Sequence, residues 1–338
     1  MVYRAKAPLR VSFAGGGTDV PPFPEQEGGL VLNATINRHA YGTLRPREDS
    51  QIQIESADFD MALDYDREEG PVFDGKLDLV KAAIRKLDQE GSKGFELFLH
   101  SSAPPGSGLG SSSTLMVTLI GLLKEFHGLP MTDYEVAELS YHVEREDLGI
   151  KGGLQDQYAA TFGGFNFMEF HPGERVVVNP LRIKNWIISE LEASLLLYFG
   201  GVSRDSAKII DEQSDNVTRN QSVAIDAMHA LKGEAIAMKE SLLRGDFEQL
   251  VESVRAGWEA KKQMAKSISN PQIDEIYELA QRAGMRAGKI SGAGGGGFMM
   301  MLVDPVRRMD VMRALQQMPG QIFTCHFTKY GTQGWKLY

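Results

Sequence analysis

The stretch PPGSGLGSSST, residues 104–114, places glycines at 106, 108 and 110 and follows them with three serines and a threonine. It lies between a strand-like segment, FELFLHS (95–101), and an apolar run beginning at Leu115. Glycine lets backbone N–H groups approach a ligand with no Cβ in the way, and a helix that starts immediately afterwards adds free N–H groups and the positive end of its dipole. A loop of this composition at a helix N-terminus is therefore a candidate anion cradle. Taken alone, it also admits a plainer reading, a tight turn with serine caps. It is neither of the two familiar nucleotide loops. No G-K-[ST] ending makes it a P-loop, and Ser111 stands where G-x-G-x-x-G needs its third glycine. Protein-kinase H-R-D and D-F-G segments and the hydrolase G-x-S-x-G are also missing from the sequence.

The chain has 338 residues, about twice the length of one typical core, so two domains are expected. A formal net charge of −9 argues against a nucleic-acid surface, because phosphate backbones are held by clustered Lys and Arg. A small anionic ligand stays open if a few basic residues converge. Cys325 is the single cysteine, which rules out an intrachain disulfide and a cysteine-based zinc site. The start, MVYRAKAPLRVSF, has no secretory h-region, and no apolar run has the length of a membrane span, so a cytoplasmic protein with no membrane partner is expected.

PLRVSFA (8–14) alternates Leu9, Val11 and Phe13 with Arg10 and Ser12, then breaks at Gly15, Gly16 and Gly17, which predicts a strand and a turn. Strands are also expected at 29–46, 51–56 and 95–101, and helical spacing at Leu79, Ala83 and Leu87 predicts a helix between them. The run from Ser111 is apolar on almost all sides and closes at Gly128 and Pro130, as a central helix would. Thr132 and Glu135 form a capping-box pattern for a further helix reaching about Asp147. Beyond a boundary near 180–192, a buried strand (ASLLLYF) precedes long helices at 221–244 and 247–265. A third helix, a glycine-rich hairpin ending GFMMMLV, a helix after Pro305 and a last strand IFTCHFT follow. Strands mixed with helices in both halves indicate an α+β chain, divided here as 1–185 and 186–338.

Two more glycine-rich segments accompany the first. GKISGAGGGGFMMM (288–301) has five glycines between Gly292 and Gly297 and then an apolar strand; it reads as a flexible hairpin or as a loop held rigidly between strands. APLRVSFAGGGTD (7–19) delivers Arg10 on a strand and Thr18 and Asp19 on a turn. The three motifs, in this order and near these positions, resemble those of the GHMP kinases, the superfamily of galactokinase, homoserine kinase, mevalonate kinase and phosphomevalonate kinase. The resemblance covers essentially the whole chain. AGGGTDVPPF, VLNATIN, EREDLGIKGGLQDQYAATFGGFNFMEF and YFGGVSR are similar to the sugar kinases that act on D-glycero-D-manno-heptose 7-phosphate.

This resemblance implies a two-domain GHMP kinase fold, with a ribosomal S5 domain 2-like N-terminal domain, a ferredoxin-like C-terminal domain and an active site between them. It implies ATP and Mg²⁺, transfer of phosphate to the anomeric hydroxyl of heptose 7-phosphate in nucleotide-sugar synthesis, and a monomer or homodimer. By motif position, Pro105, Gly106, Ser107, Gly108, Leu109, Gly110, Ser111, Ser112 and Ser113 would bind ATP. Ser112 and Glu144 would hold the metal, Asp156 would be the catalytic aspartate, and Arg10 would be the basic residue of the first motif. Gly16, Gly17, Thr18 and Asp19 would face the acceptor, together with Gly153, Gly294 and Gly295. Gly16 and Gly17 stand where galactokinase carries Glu-His, which leaves room for an acceptor larger than galactose.

The chemistry suits these roles. Phosphoryl transfer needs in-line positioning and charge neutralisation more than covalent help. Mg²⁺ takes oxygen ligands and keeps several waters, so one hydroxyl and one carboxylate suffice beside phosphate oxygens. Asp156 can accept a hydroxyl proton while Arg10 stabilises developing charge. On the plainer reading Glu144 is a solvated helix carboxylate. A phosphorylated acceptor needs a second anion site, for which Lys151, Arg204 and Lys208 are candidates that read otherwise as surface charges. The histidines show no metal-ligand spacing. Two alternatives stand beside the heptose kinase: a kinase of a free sugar such as L-fucose or galactose, and a non-catalytic sugar sensor on the same fold, against which intact Asp156, Ser112 and Glu144 count.

Overall fold

The computed structural model describes residues 1–87, 93–104, 106–201 and 206–338. Its strands are β1 (Val2–Ala14), β2 (Gly29–Pro46), β3 (Gln51–Ser56), β4 (Met61–Asp66), β5 (Phe95–Ser101) and β6 (Phe165–His171), followed by β7 (Arg175–Pro180), β8 (Leu195–Phe199), β9 (Met285–Ile290), β10 (Phe298–Val303), β11 (Gln321–Phe323) and β12 (Gln333–Leu337). Among the described residues they form two sheets, of eight and four strands.

The first sheet runs β12-β1-β2-β5-β3-β4, and the long strand β2 branches it: residues 40–46 pair with β5 while residues 29–34 pair with β6, which pairs in turn with β7. All these ladders are antiparallel except β3 with β5. On β1 the structure departs from simple alternation. The second half of the strand is buried on both faces, Arg10 and Ser12 included, because helices cover one side and the second sheet's layer covers the other. The β1/β2 register shifts between Pro8 and Arg10. Such an irregularity re-aims a side chain, and here it accompanies the turn of Arg10 toward the glycine loops.

The second sheet has the order β11-β8-β10-β9, antiparallel throughout. Numbered within this half, that is 4-1-3-2, with helices between the first and second and the third and fourth strands and a direct hairpin between the second and third. It is the ferredoxin-like arrangement. The long helices Ser222–Arg244 and Phe247–Met264 occupy the first crossover, as the spacing predicts.

The halves are less separate than a cut at 185/186 implies. One continuous core joins Leu9, Val11 and Phe13 of β1 to Leu195 and Leu197 of β8, Met238 and Leu242 of the helix above them, and Phe298 and Met300 of β10. The end of the chain also returns to the first sheet, where β12 pairs along β1 from Val2↔Leu337 to Lys6↔Gln333. The last strand is therefore Gln333–Leu337, and of the expected IFTCHFT only β11 is strand, with one bridge from Phe327 to Ile36.

The central helix runs Ser111–His127, buried on nearly every side, and ends at Gly128 in the left-handed conformation. The helix Asp133–His142 begins with the expected capping box: Glu135 N–H donates to the Thr132 hydroxyl at 3.3 Å and Thr132 N–H donates to the Glu135 carboxylate at 2.7 Å. It passes directly into a π-helical turn, Val143–Asp147. Thr132→Ala should cost about 1 kcal/mol of stability, the usual value of an N-cap. Because the cap lies ten or more residues from the π turn's functional face, urea denaturation should register the loss and turnover should not.

Candidate active site

The glycine loop and the second glycine segment pack backbone against backbone. Phe298 N–H donates to the Ser107 carbonyl at 2.9 Å. A Cβ on Gly108 would lie 2.4 Å from the Ser291 carbonyl oxygen, one on Gly292 would lie 2.8 Å from the Gly108 Cα, and one on Gly297 would lie 2.4 Å from the Ser107 carbonyl oxygen. Contact this close between two main chains admits only glycine, so GAGGGG is a loop held rigidly between β9 and β10 and not a flexible hairpin. Gly106, Gly108 and Gly110 have φ of 71°, 82° and 75°, a left-handed conformation that glycine adopts without a Cβ penalty.

The central helix starts at Ser111 with Gly110 as a cap that offers no side chain, and no acidic residue occupies its first turn. Its free N–H groups and dipole therefore face a cleft of about 250 Å³ lined by Gly106, Gly108, Gly110, Ser111, Ser112 and Ser113. The loop's other two described members do not offer side chains there: Leu109 belongs to the core and Ser107 is fully buried beneath the loop. They contribute main chain, Leu109 by accepting from Arg10 N–H at 3.1 Å. Pro105 and Arg204 lie outside the described residues.

Arg10 is 3% exposed and ties three parts of the site together. Its Nε donates to Asp156 Oδ1 at 2.7 Å, its NH2 lies 2.6 Å from the same oxygen, and its NH1 donates to the Gly108 carbonyl at 2.7 Å. Both guanidinium contacts fall on Oδ1. Asp156 Oδ2 is left toward the cleft, on a side chain that keeps 20% of its surface open. Asp156 sits in the first turn of the helix Gln155–Phe162, one residue after Gln155, which serves Asp19.

Asp19 is buried and accepts three hydrogen bonds, from Gly17 N–H at 3.0 Å, Gln155 N–H at 3.1 Å and Gln155 Nε2 at 3.1 Å. Burial pushes its carboxyl above the usual range, against the pull of the Gln155 and Gly17 donors, and the Asp156 charge pushes the same way as burial. Gly153 makes this packing possible, since a Cβ there would meet Asp19 Oδ2 at 2.0 Å. Of the other positions expected to face an acceptor, Gly17, Lys151 and Gly294 line the cleft. Thr18 does not: its hydroxyl is consumed by the Gly15 carbonyl at 2.8 Å and by Leu30, whose N–H and carbonyl both lie at 3.0 Å, so it fastens the turn to β2. Gly16 lies against the Ser12 hydroxyl, and Gly295 faces a separate small cavity behind the loop. Lys151 is 60% exposed at the rim, 3.7 Å from Asp211; Lys208 is exposed on the helix Ser206–Thr218.

The second constellation surrounds Glu144, which is fully buried and so is not a solvated helix carboxylate. Its Oε1 accepts from the Ser112 hydroxyl at 2.7 Å and its Oε2 from Gln157 Nε2 at 2.7 Å. The π turn, a feature frequent at functional sites, brings Glu144 and Arg145 together onto the cleft. A hydroxyl and a carboxylate side by side beneath the glycine loop are the hard oxygen donors Mg²⁺ requires, so these residues fit that ion. Away from the cleft, His142 Nδ1 lies 3.0 Å from Glu146 and its Nε2 lies 3.8 Å from Glu174, an exposed grouping that the histidine spacing does not reveal because Glu174 comes from the turn between β6 and β7.

Several cleft residues escape the sequence reading. Arg145 is 10% exposed, donates to the carbonyls of Ile150 and Lys151 and to the Ser113 hydroxyl, and so moulds the loop that leads to Asp156. Lys261, Gln213 and Ser291 also line the cleft. Lys261 had a legible signal: it falls on the buried stripe Leu250, Val254, Trp258 at helical spacing, where a cation is out of place.

Gly110→Ala would put its Cβ 3.2 Å from the Asp156 carboxyl carbon at a φ of 75°. We expect kcat to fall roughly 10²-fold through displacement of Asp156, read in steady-state assays. Gly108→Ala strikes the Ser291 carbonyl instead, and should lower both the melting temperature and the calorimetric affinity for an ATP analogue.

The GHMP kinases N terminal domain model matches residues 78–164 and the GHMP kinases C terminal model matches residues 238–320. The chain is 45% identical to a D-glycero-alpha-D-manno-heptose 7-phosphate kinase from Campylobacter jejuni over 99% of both chains. The structure resembles that of a D-glycero-D-manno-heptose 1-phosphate kinase from Bacteroides thetaiotaomicron, with 40% identity, a TM-score of 0.84 and 99% of both chains covered. Lactococcus lactis galactokinase shares the fold at 20% identity and a TM-score of 0.78, over 98% of this chain and 95% of the other. With both domain models matched in order and full-length identity at this level, the chain belongs to the GHMP kinase family.

Proposed function

We propose that this protein is an ATP-dependent kinase of a heptose phosphate, transferring the terminal phosphoryl group of ATP to the anomeric hydroxyl of D-glycero-D-manno-heptose 7-phosphate. The observation that carries the reading is the Arg10–Asp156 pair standing beside an uncapped helix N-terminus. An anion cradle, a proton acceptor and a fixed cation then meet in one cleft, which is what in-line phosphoryl transfer asks of a protein. Similarity to the heptose-phosphate kinases supports the acceptor class.

In this reading the backbone N–H groups of Gly106 to Ser113 receive the nucleotide phosphates. Ser112 and Glu144 would hold Mg²⁺, which when bound neutralises phosphate charge. The acceptor hydroxyl oxygen bonds to the terminal phosphorus as the bond to the bridging oxygen breaks; ADP leaves, and the hydroxyl proton passes to Asp156 Oδ2. Arg10 keeps Oδ1 occupied, which leaves Oδ2 as the oxygen that takes the proton. Asp19, buried beside Gly17 and Gly153, accepts from sugar hydroxyls. Lys151, which lines the cleft at its rim, would meet an acceptor phosphate.

ATP consumption should be measured with heptose 7-phosphate, heptose 1-phosphate, unphosphorylated heptose, L-fucose, galactose and mevalonate. Turnover should be strongest with heptose 7-phosphate; equal turnover of heptose and its 7-phosphate would move the assignment to a free-sugar kinase. Asp156→Asn should reduce kcat about 10²-fold or more, the range for a lost acid-base group, with calorimetric ATP-analogue affinity retained. Glu144→Gln should give a defect that shrinks as Mg²⁺ is raised, and a defect indifferent to metal would assign Glu144 a structural role.

A further inference from the structure

Lys261 is a lysine where burial should forbid one. It lies in the helix Phe247–Met264, is 3% exposed, and yet lines the cleft. An ammonium taken out of water is costly unless it is paired or fully hydrogen-bonded. Lys261 has one protein acceptor among the described residues, the Gly292 carbonyl at 2.6 Å, and no carboxylate within ion-pair distance. An ammonium has three donors. Two therefore remain for a ligand.

The position of those donors is set by the second glycine loop. Gly292 packs on Gly108, and Gly108 accepts from Arg10, so the chain from Lys261 runs through two main-chain contacts to the pair that performs the transfer. The groups facing Lys261 are Asp19, Arg10 and Asp156, with Lys289 behind them on β9, itself donating to the Phe13 carbonyl at 3.0 Å. Asp19 takes donors from Gly17 and Gln155, and Asp156 Oδ1 takes them from Arg10, so neither carboxylate depends on Lys261. A lysine in the same cleft as the glycine loop and Asp156, with donors to spare, fits the three oxygens of a phosphoryl group on its way from nucleotide to acceptor.

We propose that Lys261 is a second cation of the transfer site, donating to the oxygens of the phosphoryl group as it moves from the nucleotide to the acceptor hydroxyl. This deepens the kinase reading and rests on it. No proton is exchanged at Lys261: it holds charge on the phosphoryl oxygens while the new P–O bond forms, the old one breaks and the proton leaves through Asp156. Its burial depresses its pKa to about 8, with Arg10 adding to the effect and the two aspartates opposing it. The folded protein thus binds this proton less tightly than the unfolded chain. Lys261 leaves the fold most stable above its free value of 10.5 and subtracts stability as pH falls to about 8.

A purely structural strut and a catalytic cation give opposite signs. Lys261→Met should leave the melting temperature at pH 7 unchanged or higher, since a buried unpaired charge is removed, while kcat falls about 10²-fold as for other lost electrostatic stabilisers. It should weaken calorimetric binding of Mg²⁺ and a non-hydrolysable ATP analogue about tenfold, the scale of one charge-assisted contact, and leave ADP within about twofold. The wild type should lose kcat/KM as pH rises through about 8, and Lys261→Arg should recover a large part of kcat and abolish that loss. Lys262→Met, one residue on and paired with Glu259, is the control expected to behave as wild type. Turnover of Lys261→Met within about threefold of wild type, or equal weakening of ATP analogue and ADP, would overturn the proposal, as would a turnover loss that follows a lowered melting temperature. The nucleotide comparison needs no acceptor, so it stands even if heptose 7-phosphate proves to be the wrong sugar.

Discussion

Everything at this site depends on where the guanidinium of Arg10 is held. Three of its nitrogens reach Asp156 and the Gly108 carbonyl, and its own N–H reaches Leu109, so one residue fixes the spacing between the first strand, the first glycine loop and the helix that carries Asp156. Those elements are separated by about a hundred and then about fifty residues of chain. A buried guanidinium with its donors satisfied tolerates little displacement, because each lost bond leaves a buried charge short of a partner. The arrangement is correspondingly preorganised: Arg10 holds Asp156 through Oδ1.

The second constraint is steric. The two glycine loops touch main chain to main chain at Gly108, Gly292 and Gly297, and the hairpin β9–β10 brings the later loop there from the other half of the molecule. The cleft is consequently a joint property of both sheets. The shared core, running from β1 through the helix Ser222–Arg244 to β8 and β10, supplies the stiffness that holds the loops in register.

Charge is distributed unevenly. The chain carries a net −9, yet Arg10, Lys261 and Lys289 are all buried around the cleft, each bonded to at least one main-chain carbonyl. Carbonyl partners orient a cation without neutralising it. Arg10 is in addition ion-paired with Asp156, and burial pushes Lys289 toward its neutral form, so the three cations differ in how much charge they leave unbalanced. Burial pushes Asp19 up and Lys261 down, each toward its neutral form, so both groups remain responsive to what enters between them.

The three glycine motifs, in their order and spacing, were enough to read the family and to pick out Arg10 and Asp156, and local patterns gave the α+β mixture and the capping box at Thr132, because each is written in local composition or at a motif position. Tertiary structure decided the rest. Thr18 looks like a ligand beside Asp19 in sequence, but its hydroxyl is drawn into β2, and Ser107 and Leu109 turn inward because alternate residues of the loop must face the core. Lys261 stands on the apolar stripe of its helix in sequence, but that it enters the cleft is decided only when the helix is docked, and Gln157 and Arg145 gain meaning only when the π turn lays Glu144 against Ser112. The return of β12 to β1 is likewise invisible locally, since strand pairing across more than three hundred residues is a matter of which edge remains open after the sheet has formed. Sequence determines which groups are available; which of them meet depends on long-range packing, where burial and shape, not neighbouring residues, select the partner.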